Sequence, residues 1–573
     1  DGNPRMATQV LRQILLRFHD QTRATVLESL ARNYLLMPGH TDVALSRLSL
    51  AASISPSAIL RRPMLLPDGA SLQNMSLQSA REYLVRYNAK ISLDSLPDLH
   101  IPTHAQSDSF LRTTGQRAKP FQSPVPNDTI ADIDAMIVPL DGFARNDRII
   151  AWSAATGLSV YPIAQDKAII NCPAINSVPA GAAWIEGNLL TWTKDSILSI
   201  DGSSGKTRWS VDLSTLPAIA APADAGPQFA ELEQIVQVRP IGDRAIVATN
   251  TGRILAADTR TGHIIWQTRV AGGIDALLAN DDFTVVRVQA GQDIQLQVFN
   301  SFSGEPIGRK SFALDSGIVP VNLALAADGT LAYTLPNQLC IQDLFEANPS
   351  EGGMEPRITT DPIPNASLMF QGCNGPDQLL IHGGRVFALA NNGTGVRVYS
   401  TDTGEAWHYT APHGRPDFNG LFPTGSTSPN VTLHISGNYL FILSPRHLTA
   451  SRIDPPTENW ETGDDPTKAT DYEQLLYGKD YLVMVDHPGQ PLAVSNRAGS
   501  KLTLNFFNRS VKGLADKDGG PKEGGLLLFT YDLSILHNSF TMQPVEGGIA
   551  FFTGHTIQTL LGARDALANT PPI

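Results

Sequence analysis

Cysteine is almost missing from this chain: 573 residues contain three, Cys172, Cys340 and Cys373, far apart and odd in number. With no CxxC and no Cys/His ligand spacing, neither a structural zinc nor a disulfide framework is indicated. Charge is also scarce, at 17% of residues, and its balance is acidic, with a formal net charge of −12. A general nucleic-acid binder needs clustered Lys and Arg to neutralise phosphates, so that class is set aside. No apolar run reaches the roughly 18 residues that a membrane-spanning helix requires. Nor does G-x-G-x-x-G or GxxxxGK[ST] lead from a strand into a helix, and HExxH and GxSxG do not occur. The usual phosphate cradles, zinc-protease helices and nucleophile elbows are therefore not indicated.

What is plentiful is glycine and proline, 47 and 40 residues. That suits many short strands joined by turns better than long solvated helices. The first 95 residues differ from the rest: they carry a balance of +4, which leaves −16 for the remainder. Residues 5 to about 92 read as helical. In "ATQVLRQILLRFHD" the residues Val10, Leu11, Ile14, Leu15 and Phe18 share one face at spacings of three and four. "TRATVLESLARNYLLMPG" repeats the pattern and ends at Pro38-Gly39. Thr41 or Asp42 can cap a third helix, and Ser79 with Glu82 forms a capping box for a fourth, "SLQSAREYLVRYNAK". Antiparallel helical hairpins are the expectation, and they loosely resemble a tetratricopeptide-like array. Residues 93–128 then lose all periodicity. Pro97, Pro102, Pro120, Pro124 and Pro126 mark a linker or a strap on the next unit. The division is thus 1–92, 93–128 and 129–573.

From about 129 onward one short pattern recurs. "ILSIDGSSGKTRWSVDL" carries Asp201, Gly205 and Trp209, and "ILAADTRTGHIIWQTRV" carries Asp258, Gly262 and Trp266, with the same spacing of four and four. Gly157 with Tyr161, Gly304 with Asn300, and Gly404 with Trp407 fit less completely. The glycines step by 48, 57, 42 and 100 residues, the last being two repeats. The missing repeat falls at "LAYTLPNQLCIQDLF"; past Trp407 the signal decays, one segment keeping a hairpin with Asp454 and Trp460 and two later ones only strand alternation. Short strands with a period near 50 are the mark of a propeller. The physical reason for each residue is local. Glycine takes a positive φ that a Cβ would penalise, and the Asp side chain accepts turn N–H bonds. The Trp ring is large enough to wedge between neighbouring sheets and bury about 150–250 Å². These glycines and tryptophans therefore read as turn and packing residues and not as ligand contacts.

Ala257-Asp258, Thr261-Gly262 and Trp266 resemble the tryptophan-docking repeat of the pyrroloquinoline-quinone-like (quinoprotein-like) propeller family. The resemblance is clear over residues 145–415 and extends to about 565 by strand counting. It implies a mainly β fold, a propeller of about eight four-stranded blades, with seven as the alternative, and a last blade completed from both ends of the segment. Catalytic members hold their quinone with two adjacent cysteines, a stacked Trp and a calcium. Here no two cysteines adjoin and no catalytic position maps onto a matching motif, so the resemblance is to the noncatalytic branch. What it implies is a protein-binding or assembly scaffold without cofactor, in a bacterial extracytoplasmic complex, with protein partners or further copies of itself. The alternative is a quinone-dependent alcohol or sugar dehydrogenase. The opening at Asp1, without a basic-then-apolar leader, is expected if a leader has been removed or if the chain is one piece of a longer product. No metal site is expected; the weak candidate is Asp516, Asp518 and Glu523 in the glycine-rich "DKDGGPKEGG", which could offer oxygens to calcium, but the spacing is not that of an EF-hand and a solvated loop is the better account.

Overall fold

The computed structural model describes residues 21–94, 127–219, 232–344, 358–359, 379–410, 432–463, 472–486, 500–508, 527–535 and 540–561, apart from short stretches inside them, together with single positions before 21 and between 96 and 99. Its helices are α1 (Gln21–Leu35), α2 (Thr41–Ile54) and α3 (Leu77–Asp94). Leu27, Leu30, Ala31 and Tyr34 recur along one side of α1, and all four are buried. They share a core with Val43, Ala44 and Leu48 of α2 and with Ala80 and Leu84 of α3. The first expected helix lies largely outside the described residues, although Leu11 and Ile14 pack on the same core.

Two details depart from the expectation. The cap of α3 is Ser76, whose hydroxyl accepts from the Ser79 N–H at 3.1 Å, while Glu82 instead accepts from Gln78 Nε2. A serine just before the first helical residue reaches the third N–H, and Ser79 already lies inside the helix. Between α2 and α3 the chain also makes a small hairpin, Met64–Leu65 against Ser71–Leu72. The Pro67-Asp68-Gly69 turn forms it: Gly69 sits at φ 87° and Asp68 Oδ1 accepts from the Ala70 N–H.

The rest is β. Among the described residues nine four-stranded antiparallel sheets follow one another, each strand beside its predecessor. We call them blades 1 to 9, spanning 135–172, 181–212, 235–269, 273–313, 323–359, 379–410, 432–463, 472–535 and 540–561, with strands a to d in order. The a strands of blades 3 to 7 lie against one another in turn, as do those of blades 8 and 9, so they surround the axis and the d strands form the rim. Blade 9 takes strands a to c from Phe540–Val545, Gly548–Thr553 and Thr556–Leu561, and its d strand is Asn127–Ile130 from the other end of the propeller segment. That strand begins just ahead of the boundary expected at 129.

The core is a set of seams between blades. Ile150 and Val160 of blade 1 meet Ala182 and Leu189 of blade 2. Equivalent clusters join each pair through blade 8. The a strands of blades 8 and 9 touch, and Ile130, Ala550 and Ile557 of blade 9 pack on Met136 and Ile149 of blade 1. The ring is closed. Because each sheet is covered on both faces, the middle strands are buried along their whole length: all of Arg244–Thr249 and Thr330–Leu335 are buried.

The fold class stands, but the described residues hold nine such sheets against the roughly eight expected. The count fell short where the glycine signal disappears after Trp407, in three blades of which the first keeps Trp460 and the other two only strand alternation. One of those is split between two ends of the segment.

Candidate functional site

In an up-and-down four-stranded sheet the a–b and c–d turns leave at one end and the b–c turn at the other. The recurring glycines therefore gather at one face of the ring. In blade 2 the c–d turn follows Ile200, in blade 3 it begins at Asp258, and in blade 4 at Asn300. All three are built alike. The glycine N–H donates to the carbonyl four residues back: Gly205 to Asp201, Gly262 to Asp258 and Gly304 to Asn300, at 2.8–2.9 Å. The side chain of that first residue accepts two further N–H groups: Asp201 from Ser203 and Ser204, Asp258 from Arg260 and Thr261, Asn300 from Phe302 and Ser303. The glycines take φ of 70°, 73° and 73°. A register shift lies next to each turn, in the same place in the three hairpins.

That shift aims the Trp of strand d at the following blade. Trp209 of blade 2 donates Nε1–H to the Thr259 carbonyl of blade 3 at 3.1 Å, and a Cβ on Gly262 would stand 2.7 Å from its ring. Trp266 of blade 3 donates to Ser301 O of blade 4 at 3.0 Å, and a Cβ on Gly304 would stand 2.6 Å from it. Both indoles are 9% exposed. Each ring thus lies flat against the next blade's turn, where only glycine leaves room.

Not every expected position joins this arrangement. Gly157 lies one hairpin earlier, at the b–c turn of blade 1, where a Cβ would stand 2.5 Å from the Cys172 carbonyl. Tyr161 is accordingly in strand c, and the residue under Gly205 is Ile170 of strand d. The "ATG" turn imitates the docking turn because any tight hairpin wants glycine at positive φ. Trp407 is in strand d of blade 6, opposite Val398. Its side chain and Gly404 lie outside the described residues, as do Asp516, Asp518 and Glu523, between strands c and d of blade 8.

Two sets of residues escaped the sequence reading. Arg244 heads strand b of blade 3 and donates from Nη1 to Ser301 O at 3.0 Å, beside Trp266, while its guanidinium lies 4.9 Å from the Phe302 ring. Arg385 heads strand b of blade 6 and likewise donates to Ile453 O of blade 7 at 2.8 Å. A turn Gly or Asp, then Arg, then three apolar residues was the available signal: "DRAIV" and "GRVFA". The second set is the helical unit's contact with the same face. His40 Nε2 lies 3.5 Å from Asp281 in the a–b turn of blade 4, and Arg47 pairs with Asp328 of blade 5 at 2.9 Å. Ser46 lies against Gly384 of blade 6, and Ala327 packs on the helical core. Farther along, Pro97 O accepts from the Lys479 N–H of blade 8.

The turn carboxylates are held below their ordinary value of 3.8. For Asp201 the cause is the Ser203 hydroxyl and the N–H and hydroxyl of Ser204; for Asp258 burial pushes upward, but the Thr261 and Arg260 N–H groups outweigh it. A depressed folded value means that the unfolded chain takes up the proton first. The turns' contribution is therefore complete above about pH 4 and is lost as pH falls through the folded values. Asp258→Asn, which copies Asn300, is expected to flatten the pH dependence of the melting temperature below about pH 4 while leaving stability near pH 7 almost unchanged. An unaltered acid slope in thermal melts would contradict it.

A quinone does not fit the described residues. Cys172 and Cys340 are buried in blades 1 and 5, and both docked indoles are already sandwiched at seams. Among the described residues no group of three His, Cys, Asp or Glu could hold a metal, and no helix is long and apolar enough to cross a membrane. Residues 193–307, which include these turns, match the family described as outer membrane protein assembly factor BamB, so the repeats of blades 2 to 4 are of the pyrroloquinoline-quinone-like kind. No curated protein matches the chain. Among solved structures, BamB from Moraxella catarrhalis is 15% identical, with 63% of this chain covering 96% of that one at a TM-score of 0.37. Sqt1 from Saccharomyces cerevisiae is 11% identical, with 66% covering 94% at 0.39, and the computationally designed Ika8 protein 14%, with 62% covering 93% at 0.39.

Proposed function

We propose that this chain is a noncatalytic scaffold that binds protein partners within a larger bacterial extracytoplasmic assembly. In this reading residues 1–92 are a helical unit, 93–128 a linker or strap, and 129–573 the propeller. The observation that carries it is the use of Trp209 and Trp266. The residues that give the repeat its family character are consumed in holding blades together, so their recurrence reflects a rigid ring and not a reaction centre. The match of residues 193–307 to an assembly factor supports the same reading. A closed ring of sheets suits such work, because loops mounted on rigid strands can bind without an ordering cost at the scaffold.

Two measurements on the full chain test this. After incubation with pyrroloquinoline quinone and Ca²⁺ and removal of free quinone, the protein is expected to show neither bound-quinone absorption nor dye-linked oxidation of alcohols or sugars. Cross-linking in native envelope extract is expected to retain a defined protein at fixed stoichiometry. Alcohol turnover overturns the noncatalytic reading, and a chain recovered alone overturns the scaffold.

A further inference from the structure

The devices that join blades 2, 3 and 4 lapse farther round the ring. In strand d of blade 4 the place of the docking Trp is taken by Gly308, paired with Val298 as Trp266 is paired with Ala256. Blade 5 has no Thr-Gly turn. The arginine that heads strand b of blade 3 is absent here too, as it is from blade 2, where Asn188 stands: Phe283 has its place in blade 4 and Thr330 in blade 5. Where Arg244 and its neighbour Asp243 form one ion pair within blade 3, the a–b turns of blades 4 and 5 carry Asp281 and Asp328 facing out of the ring. Opposite them stand basic groups from the helical unit.

We infer that the helical unit is a built-in clasp, in which His40 and α2 hold blades 4, 5 and 6 together over an arc where tryptophan docking lapses. The geometry is stepwise along one segment. His40 meets the turn of blade 4, Arg47 that of blade 5, and Ser46 that of blade 6. The Arg47–Asp328 pair is well buried, with side chains 11% and 7% exposed, and Asp328 is fixed in place because its other oxygen accepts from the Thr330 N–H. A buried, charge-assisted contact of this kind resists separation far more than an exposed one. Gly384 makes the third contact possible: Ser46 Oγ lies 2.8 Å from where a Cβ would be, so a larger residue would lift α2 away. The adjoining turns of blades 4 and 5 are also bonded directly, Asn280 Nδ2 to Ala326 O at 2.7 Å, so the clasp closes over turns that already touch.

Amide hydrogen exchange on the full chain, read by mass spectrometry blade by blade, tests this. Arg47→Met keeps an unbranched stem and removes the guanidinium that reaches Asp328. It is expected to raise exchange in strands b and c of blades 4 to 6 by about ten-fold or more, leaving blades 2 and 3 unchanged. Trp209→Phe is expected to give the opposite pattern, confined to the seam of blades 2 and 3. Faster exchange limited to α1–α3 would mean that the unit merely rests on the ring, and a uniform rise in all blades would mean a general loss of stability; either result overturns the clasp. Asp328→Asn, which keeps the acceptor for the Thr330 N–H, gives a milder version of the same readout if Arg47→Met does not accumulate folded. The same outcomes then decide.

Discussion

Trp266→Ala is expected to lower the unfolding free energy by about 3–5 kcal/mol in chemical denaturation, the range for removing a large aromatic from a packed site. The ring is 9% exposed and lies on Gly304, which has no side chain to fill the space left behind. Collapse of the site would require the c–d turn of blade 4 to move, and that turn is held by five hydrogen bonds of its own, two of them to Asn300 Oδ1. Trp266→Phe separates packing from hydrogen bonding. It keeps most of the ring and loses the bond to Ser301 O, but that carbonyl still accepts from Arg244 Nη1, so no buried acceptor is orphaned. The expected cost is about 1–2 kcal/mol. If alanine and phenylalanine cost the same, the indole is not a wedge.

Gly262→Val carries the second large effect, about 2–5 kcal/mol. A β-branched residue at φ 73° costs roughly 1–2 kcal/mol in the backbone. Its Cβ would also stand 2.7 Å from Trp209, a ring that its own bond to Thr259 O prevents from retreating, and overpacking of that kind adds about 1–3 kcal/mol. Gly187→Val is the control. Gly187 has φ 81° with nothing within 4 Å of a Cβ, so only the backbone contribution applies. Melting curves in which both variants fall equally would remove the contact from the account.

The propeller was legible in the sequence because its turn chemistry is local. Asp258, Gly262 and Trp266 fall within nine residues, and glycine and Asp recur for reasons that need no knowledge of the rest of the chain. The same locality explains the error at Gly157, since a b–c turn and a c–d turn ask for the same glycine. What the sequence did not disclose is contact between distant segments. Nothing in "DRAIV" says that Arg244 reaches Ser301, and nothing around Asp328 says that its partner is Arg47, 281 residues away. Gly308 could be read as an imperfect repeat, yet its meaning depends on the helix that covers the adjoining turns. Ser76 was missed for a narrower reason: Ser79-x-x-Glu82 satisfies the pattern of a capping box while lying one turn inside the helix.

The outer strand of blade 9 comes from the opposite end of the propeller segment, and the join places Ile133 beside His555, 422 residues later in the chain. During synthesis the segment at 127–130 emerges early and finds no mate until the final hairpin has left the ribosome. Individual blades can form as they appear, but locking of the circle is a late, all-at-once event that draws two distant stretches together against the entropy of a very long loop. A nascent chain stopped before residue 556 would leave both Asn127–Ile130 and the edge of Gly548–Thr553 in blade 9 unpaired, the kind of edge that invites pairing with the wrong neighbour.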